Sequence, residues 1–323
     1  YVGILAMGTL GDMDTLSIID NFIGDTATTT NYIGYKGIEV SNTTNSNITQ
    51  NTIYNIITTV TTPIGLSVLS NVTNTNITKN NINNIVFTST GGYGGRGMYI
   101  NTAVASSNLN ITNNVISVIG GDGYSSFTNS SPVGLYFDGN MGGVNIYYNS
   151  INMTGSLSYS SATLTTAILF YTSSITAVNM RNNVFVNSMN NTITSTSKNY
   201  AIYTAGGASN FTSINYNDYF VSGTQGVLAF FGAADIITLA AWKTATGADA
   251  NSISLDPLFN STTNLQANTG SPLKNAGTYI STVTTDIVGI TRSATTPSIG
   301  AYENLNDISA PTITYTALSN TSL

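Results

Sequence analysis

A seven-residue pattern, Asn-Ile-x-x-Asn-x-Ile, returns along most of the chain, and a motif with a near-constant interval leaves few folds open. It reads Asn47-Ile48-Thr49-Gln50-Asn51-Thr52-Ile53, then recurs from Asn76, Asn110, Asn145, Asn179 and Ser213, with a degenerate copy from Ser17. Successive starts lie 30, 29, 34, 35, 34 and 34 residues apart. The fifth position is Asn in every copy: Asn21, Asn51, Asn80, Asn114, Asn149, Asn183 and Asn217. The second position is Ile or Met, and the seventh is Ile, Phe or Tyr.

A second element precedes the copies. It is a short alternating segment led by a small residue, as in Gly37-Ile38-Glu39-Val40, Gly65-Leu66-Ser67-Val68, Gly97-Met98-Tyr99-Ile100 and Gly134-Leu135-Tyr136-Phe137. Weaker versions begin at Gly3, Ala167 and Ala201. Alternation without helical periodicity, among many β-branched residues, reads as short strands joined by turns. If each interval is one circuit of a solenoid, equivalent residues stack one strand spacing apart, about 4.8 Å, in columns of like side chains. The expected fold is an all-β, right-handed parallel β-helix of about eight coils. In it the fifth-position Asn side chains turn a corner in the left-handed conformation and bond to one another as an internal ladder.

Composition narrows the function. Only 7 % of the 323 residues are charged, yet 41 % are hydrophobic and the net charge is −6, so the chain folds with a surface of uncharged polar groups. With no Cys and no His, thiol nucleophiles, imidazole bases and the usual zinc and haem ligands are excluded. No Lys/Arg cluster offers a footprint for nucleic acid, and no apolar run reaches 18 residues, so no membrane span is expected. The start, Tyr1-Val2-Gly3-Ile4-Leu5-Ala6, has neither an initiator Met nor a basic leader and reads as a processed or excised piece.

The repeat after its Gly-led strand resembles the right-handed parallel β-helices of the pectin-lyase-like superfamily, over roughly residues 1 to 260. That fold carries lyases, hydrolases and adhesins alike. Trp242, Asp256-Pro257-Leu258-Phe259, Ser271-Pro272-Leu273-Lys274-Asn275-Ala276-Gly277 and Ile299-Gly300-Ala301-Tyr302-Glu303 look like the closing segment of such domains in large secreted Bacteroidota proteins. The expected layout is a β-helix over 1–303, closed by about 240–303, with 304–323 a linker entering an immunoglobulin-like module. The resemblance implies an extracellular, cell-surface protein exported by the type IX secretion system. Surface glycans or the outer-membrane secretion machinery would be its partners, and further domains would be joined to it. Asp14-Thr15-Leu16 and Asp25-Thr26-Ala27 resemble that phylum's O-glycosylation acceptor, which points to Thr15 and Thr26.

A lyase on this scaffold needs carboxylates on neighbouring coils, usually with calcium, plus a basic side chain; a hydrolase needs facing acids. If the chain is an enzyme, its residues are Arg96, Asp122 and Asp138, on adjacent coils among the Gly-rich loops 91–95 and 120–123. Otherwise these are solvated loop charges. No cofactor is required, calcium being the one open possibility. Arg181 is expected to stack on Tyr147, and Asp286 to pair with Arg292. The outward position of the Gly-led strands, Glu39, Ser67, Tyr99, Tyr136, Leu169, Tyr203 and Leu228, offers Tyr99, Tyr136 and Tyr203 for glycan contact. Thr49, Thr78 and Thr112 align as a flat array suited to ice, but Tyr147, Arg181 and Asn215 end that series. The leading expectation is a non-enzymatic adhesin or spacer module; the alternative is a polysaccharide lyase or hydrolase.

Overall fold

The computed structural model describes residues 1–9, 13–25, 33–127 and 131–303. The chain winds into an all-β, right-handed parallel β-helix with three long sheets. Sheet one holds the Gly-led strands, from Val2–Met7 to Gly226–Phe231, and ends in an antiparallel strand, Ala234–Ile236. Sheet two holds the first half of each heptad, such as Asn47–Thr49 and Asn76–Thr78, and sheet three the second half, such as Thr52–Thr58 and Asn81–Phe87. Sheets two and three have seven strands each, so the solenoid makes about six turns, fewer than the eight coils expected. At the C-terminal end the last parallel strand of sheet one, Gly226–Phe231, has no matching strand in the other two sheets among the described residues.

Parallel registry puts like on like. Ile48, Ile77 and Ile111 stack in sheet two, Ile53, Ile82 and Ile116 in sheet three, and Ile38, Leu66 and Met98 in sheet one. All point inward into one continuous core and are at most 1 % exposed. Each such side chain contributes about 1.5–3 kcal/mol by leaving water, which is what holds three-residue strands in place. The leading Gly is set by this core: a Cβ on Gly65 would lie 2.5 Å from Ile82 Cγ2 and 2.6 Å from the Gly97 carbonyl oxygen. Ala167 and Ala201 replace it in the later coils.

The Asn ladder is continuous. From Asn51 through Asn217 each amide oxygen accepts both the backbone N–H and the side-chain N–H of the preceding coil's Asn, at 2.9–3.1 Å. From Asn51 on, the second N–H of each amide goes to a main-chain carbonyl one coil back. The corner conformation, however, sits one residue earlier than expected. Asp20, Gln50, Lys79, Asn113, Tyr148, Asn182 and Tyr216 have φ of 55–60°, and the ladder Asn residues do not. The ladder fixes the chain on its inner side, and the strain falls on the fourth heptad position whatever residue stands there.

The two ends differ. At the C-terminal end the helix Leu239–Thr246 lays Trp242 over the core against Tyr219 and Phe231, its indole N–H donating to Asp249 at 2.6 Å. At the other end, Val2–Met7, Ser17–Ile19 and Phe22–Ile23 are outermost strands of the three sheets, and Leu5, Met7, Ile19 and Phe22 are exposed. The Asn21 amide oxygen receives no donor there among the described residues.

Residues 247–303 return along the outside of the solenoid as a strap. It docks on the strained corner column: Lys79 and Asn113 donate to Thr285, and Tyr148 and Asn182 donate to the Thr278 carbonyl. Arg292 anchors it, contrary to the expected pairing. Its partner is Glu303 at 3.2 Å, while Asp286 accepts the Glu303 backbone N–H. The guanidinium also donates to Asn113 and the Gly300 carbonyl and lies 3.8 Å from the Tyr148 ring centroid. Arg292→Leu is expected to cost about 3 kcal/mol, because it strands a buried Glu303 carboxylate. Chemical unfolding would show the loss; an unchanged midpoint would mean that the strap does not contribute to solenoid stability.

The 304–323 segment, expected to enter an immunoglobulin-like module, lies outside the described residues, as does Thr26.

Candidate functional site

The residues that sequence offered for catalysis do not converge on one point. Asp122 is buried and ties two loops together, accepting from the Gly92 backbone N–H at 3.1 Å and the Ser158 hydroxyl at 2.8 Å. Asp138 accepts from the Tyr99 hydroxyl at 3.0 Å and from the Gly139 N–H. Arg96 lies between two rings, 4.8 Å from the Tyr99 centroid and 4.6 Å from that of Tyr136, and donates to the Phe127 carbonyl. Burial lowers the Arg96 pKa, opposed by Tyr136, Tyr99 and Asp138. Arg96, Tyr99 and Asp138 therefore form one local network, with Asp122 engaged elsewhere.

The aromatic row on this sheet follows the expected registry from Glu39 through Ser67, Tyr99, Tyr136 and Leu169 to Tyr203. The next member is Phe230, not Leu228, which points into the core. Much of the row is covered. Tyr136 is 2 % exposed and Leu169 fully buried, in a satellite apolar cluster with Phe127, whose ring meets Tyr203 at 4.9 Å. Burial raises the pKa of Tyr99, Tyr136 and Tyr203 above the ordinary phenol value. Of the three tyrosines singled out, Tyr99 and Tyr203 keep partial access to solvent.

A concavity lies on a different face, the outer side of sheet two. It is a groove of about 850 Å³. Its floor is two columns of outward heptad positions, Asn47–Asn76–Asn110–Asn145 and Thr49–Thr78–Thr112, and its wall is strap residues 279–283. The Asn column is a second, outer ladder: each Nδ2 donates to the Oδ1 of the coil before at 2.9–3.0 Å. The Thr49 and Thr78 hydroxyls are 2.8 Å apart. At the far end the Arg181 guanidinium lies 5.2 Å from the Tyr147 ring centroid, as expected, and donates to Asn179 at 3.0 Å. Among the described residues no Asp or Glu lines the groove.

The sequence shows the floor of this groove but not its wall. Thr49, Thr78 and Thr112 align by period alone, whereas Tyr279 and its neighbours arrive from more than a hundred residues away with no repeat to place them.

Neither a known family model nor a curated protein matches this chain.

Among the described residues no three acidic side chains gather closely enough to hold a metal ion, and no helix is long and apolar enough to cross a membrane. Thr15, one of the two proposed modification sites, is exposed in a left-handed turn, its hydroxyl donating to the Asp14 carbonyl.

Proposed function

We propose that the chain is a non-enzymatic extracellular β-helix module of a larger cell-surface protein, serving as adhesin or structural spacer. The observation that carries this reading is the commitment of the acids to the fold. Asp122 joins loops, Asp249 holds Trp242 and Tyr219, Asp286 and Glu303 fix the strap, and Asp235 takes Lys198 and Tyr200. A glycosidase needs two carboxylates free to face one bond, and these oxygens are occupied with structural donors. The heptad repeat and closing segment extend the proposal to the pectin-lyase-like superfamily and to type IX export from a Bacteroidota cell. Surface glycans or the secretion machinery would be its partners.

The alternative, a carbohydrate-active enzyme, would draw on Arg96, Tyr99 and Asp138, where a cation, a phenol and a carboxylate share one network. Incubating the chain with acidic and neutral polysaccharides, with and without calcium, separates the two. No new reducing ends and no unsaturated product are expected. Turnover that disappears in Asp138→Asn would overturn the non-enzymatic reading.

A further inference from the structure

We propose that the groove on the outer face of sheet two binds a neutral linear glycan laid along the solenoid axis. The inference rests on the non-enzymatic surface-module reading and names its ligand class.

The floor sets both direction and spacing. Asn76 and Asn110 each spend one N–H and one lone pair on their neighbours in the outer ladder, Asn47 spends one lone pair on Asn76, and Asn145 spends one N–H on Asn110 and one lone pair on the Tyr147 hydroxyl. A second N–H and a second lone pair remain per amide. The row therefore presents a donor and an acceptor at every step of about 4.8 Å along the axis. A ligand that matches it must itself both donate and accept at a regular interval, which is the property of a polymer of hydroxylated rings. Backbone amides in an extended peptide would be drawn to free strand edges, and this face has its strands paired on either side.

The wall supplies the apolar component. Tyr279 is 38 % exposed at the lip, giving a ring face to stack on a sugar, while Ile280 and Val283 pack down onto Tyr147 and Tyr148 and keep the wall in place. The groove's volume falls within the usual range of about 300–1,000 Å³ for small-molecule sites.

Charge selects among glycans. Among the described residues Arg181 is the one charged side chain lining the groove, and its guanidinium is engaged with Asn179 and the Tyr147 ring. A polyanion would meet this one cation on a chain of net charge −6, and long-range repulsion opposes its approach. An uncharged glycan meets neither obstacle.

The test is calorimetric titration of the full chain with cellohexaose, xylohexaose and a galacturonic acid hexamer. At least one neutral hexasaccharide is expected to bind. Tyr279→Ala, on the exposed lip, and Thr78→Val, which keeps side-chain shape, should each weaken binding about tenfold, the loss of one well-made contact. Asn140→Ala, on an exposed loop outside the groove lining, should leave it unchanged. Binding of neither neutral hexamer, preference for the acidic hexamer, loss of affinity in Asn140→Ala, or ice-growth inhibition without glycan binding would each overturn this inference and leave the non-enzymatic reading standing. Shortened oligosaccharides in the cell would overturn that reading instead.

Discussion

Asn114→Ala is expected to lower the unfolding free energy by about 5 kcal/mol, among the largest effects of any single substitution in the chain. Asn114 sits in mid-ladder and is fully buried. Its side chain donates to Asn149 and to the Ile77 carbonyl, and its oxygen accepts both N–H groups of Asn80. Removing the amide leaves two buried donors on Asn80 and weakens two acceptors. Each unsatisfied buried group costs about 1–3 kcal/mol. Because coils are stabilised by their neighbours, a fault in the middle is felt on both sides. Asn140, exposed on a loop, is the control, and Asn140→Ala should change stability by no more than about 0.5 kcal/mol. Urea unfolding of the two variants beside the parent measures the contrast, and equal shifts would mean that the ladder is not a principal stabilising element.

The second large effect depends on pH. Asp218 is buried under the strap; Oδ1 accepts from the Leu255 N–H at 3.1 Å, and Oδ2 has no partner among the described residues. Burial raises its pKa from 3.8 to about 8; the Leu255 N–H opposes the shift and nearby Asp256 adds to it. The folded chain therefore holds a proton on Asp218 that the unfolded chain has released above pH 4. The stabilisation associated with that proton is complete below the unfolded pKa and is lost as pH rises through the folded one. At about 1.36 kcal/mol per pH unit, the loss between pH 4 and pH 7 reaches at most about 4 kcal/mol. Asp218→Asn keeps the shape and the acceptor for Leu255 but cannot ionise. It should match the parent at pH 4 and exceed it progressively towards pH 8. Parallel unfolding curves across this range would place the Asp218 carboxyl in contact with water.

What the sequence makes legible follows from the kind of force involved. The inward Ile columns and the ladder are visible because one environment is repeated in every coil and selects one residue type each time. The strained corner is hidden, because Gln50, Lys79 and Tyr148 have no preference for the left-handed region and are held there by the ladder beside them. The strap is hidden for a different reason. Its contacts with the corner column join residues 96 to 206 positions apart with no repeat behind them, and Arg292 finds Asn113 across 179 positions and Glu303 within the strap, where sequence suggested Asp286. The groove is legible by half: periodicity gives its Asn and Thr floor, and the strap that makes it concave carries no period. On sheet one the aromatic row was readable as far as Tyr203. Phe230 then replaces Leu228, because Leu228 turns inward to the core.

The unlike ends would accept an inserted repeat differently. Behind Phe231 an added coil would have to displace the Leu239–Thr246 helix and re-expose Trp242. Beside Val2–Met7, Ser17–Ile19 and Phe22–Ile23 the described residues present three strand edges and the exposed side chains of Leu5, Met7, Ile19 and Phe22, against which a further turn of the same repeat could pair. A repeat engineered onto that side would leave the groove, which begins at Asn47 one coil further in, and the strap, whose corner contacts begin at Lys79, as they are.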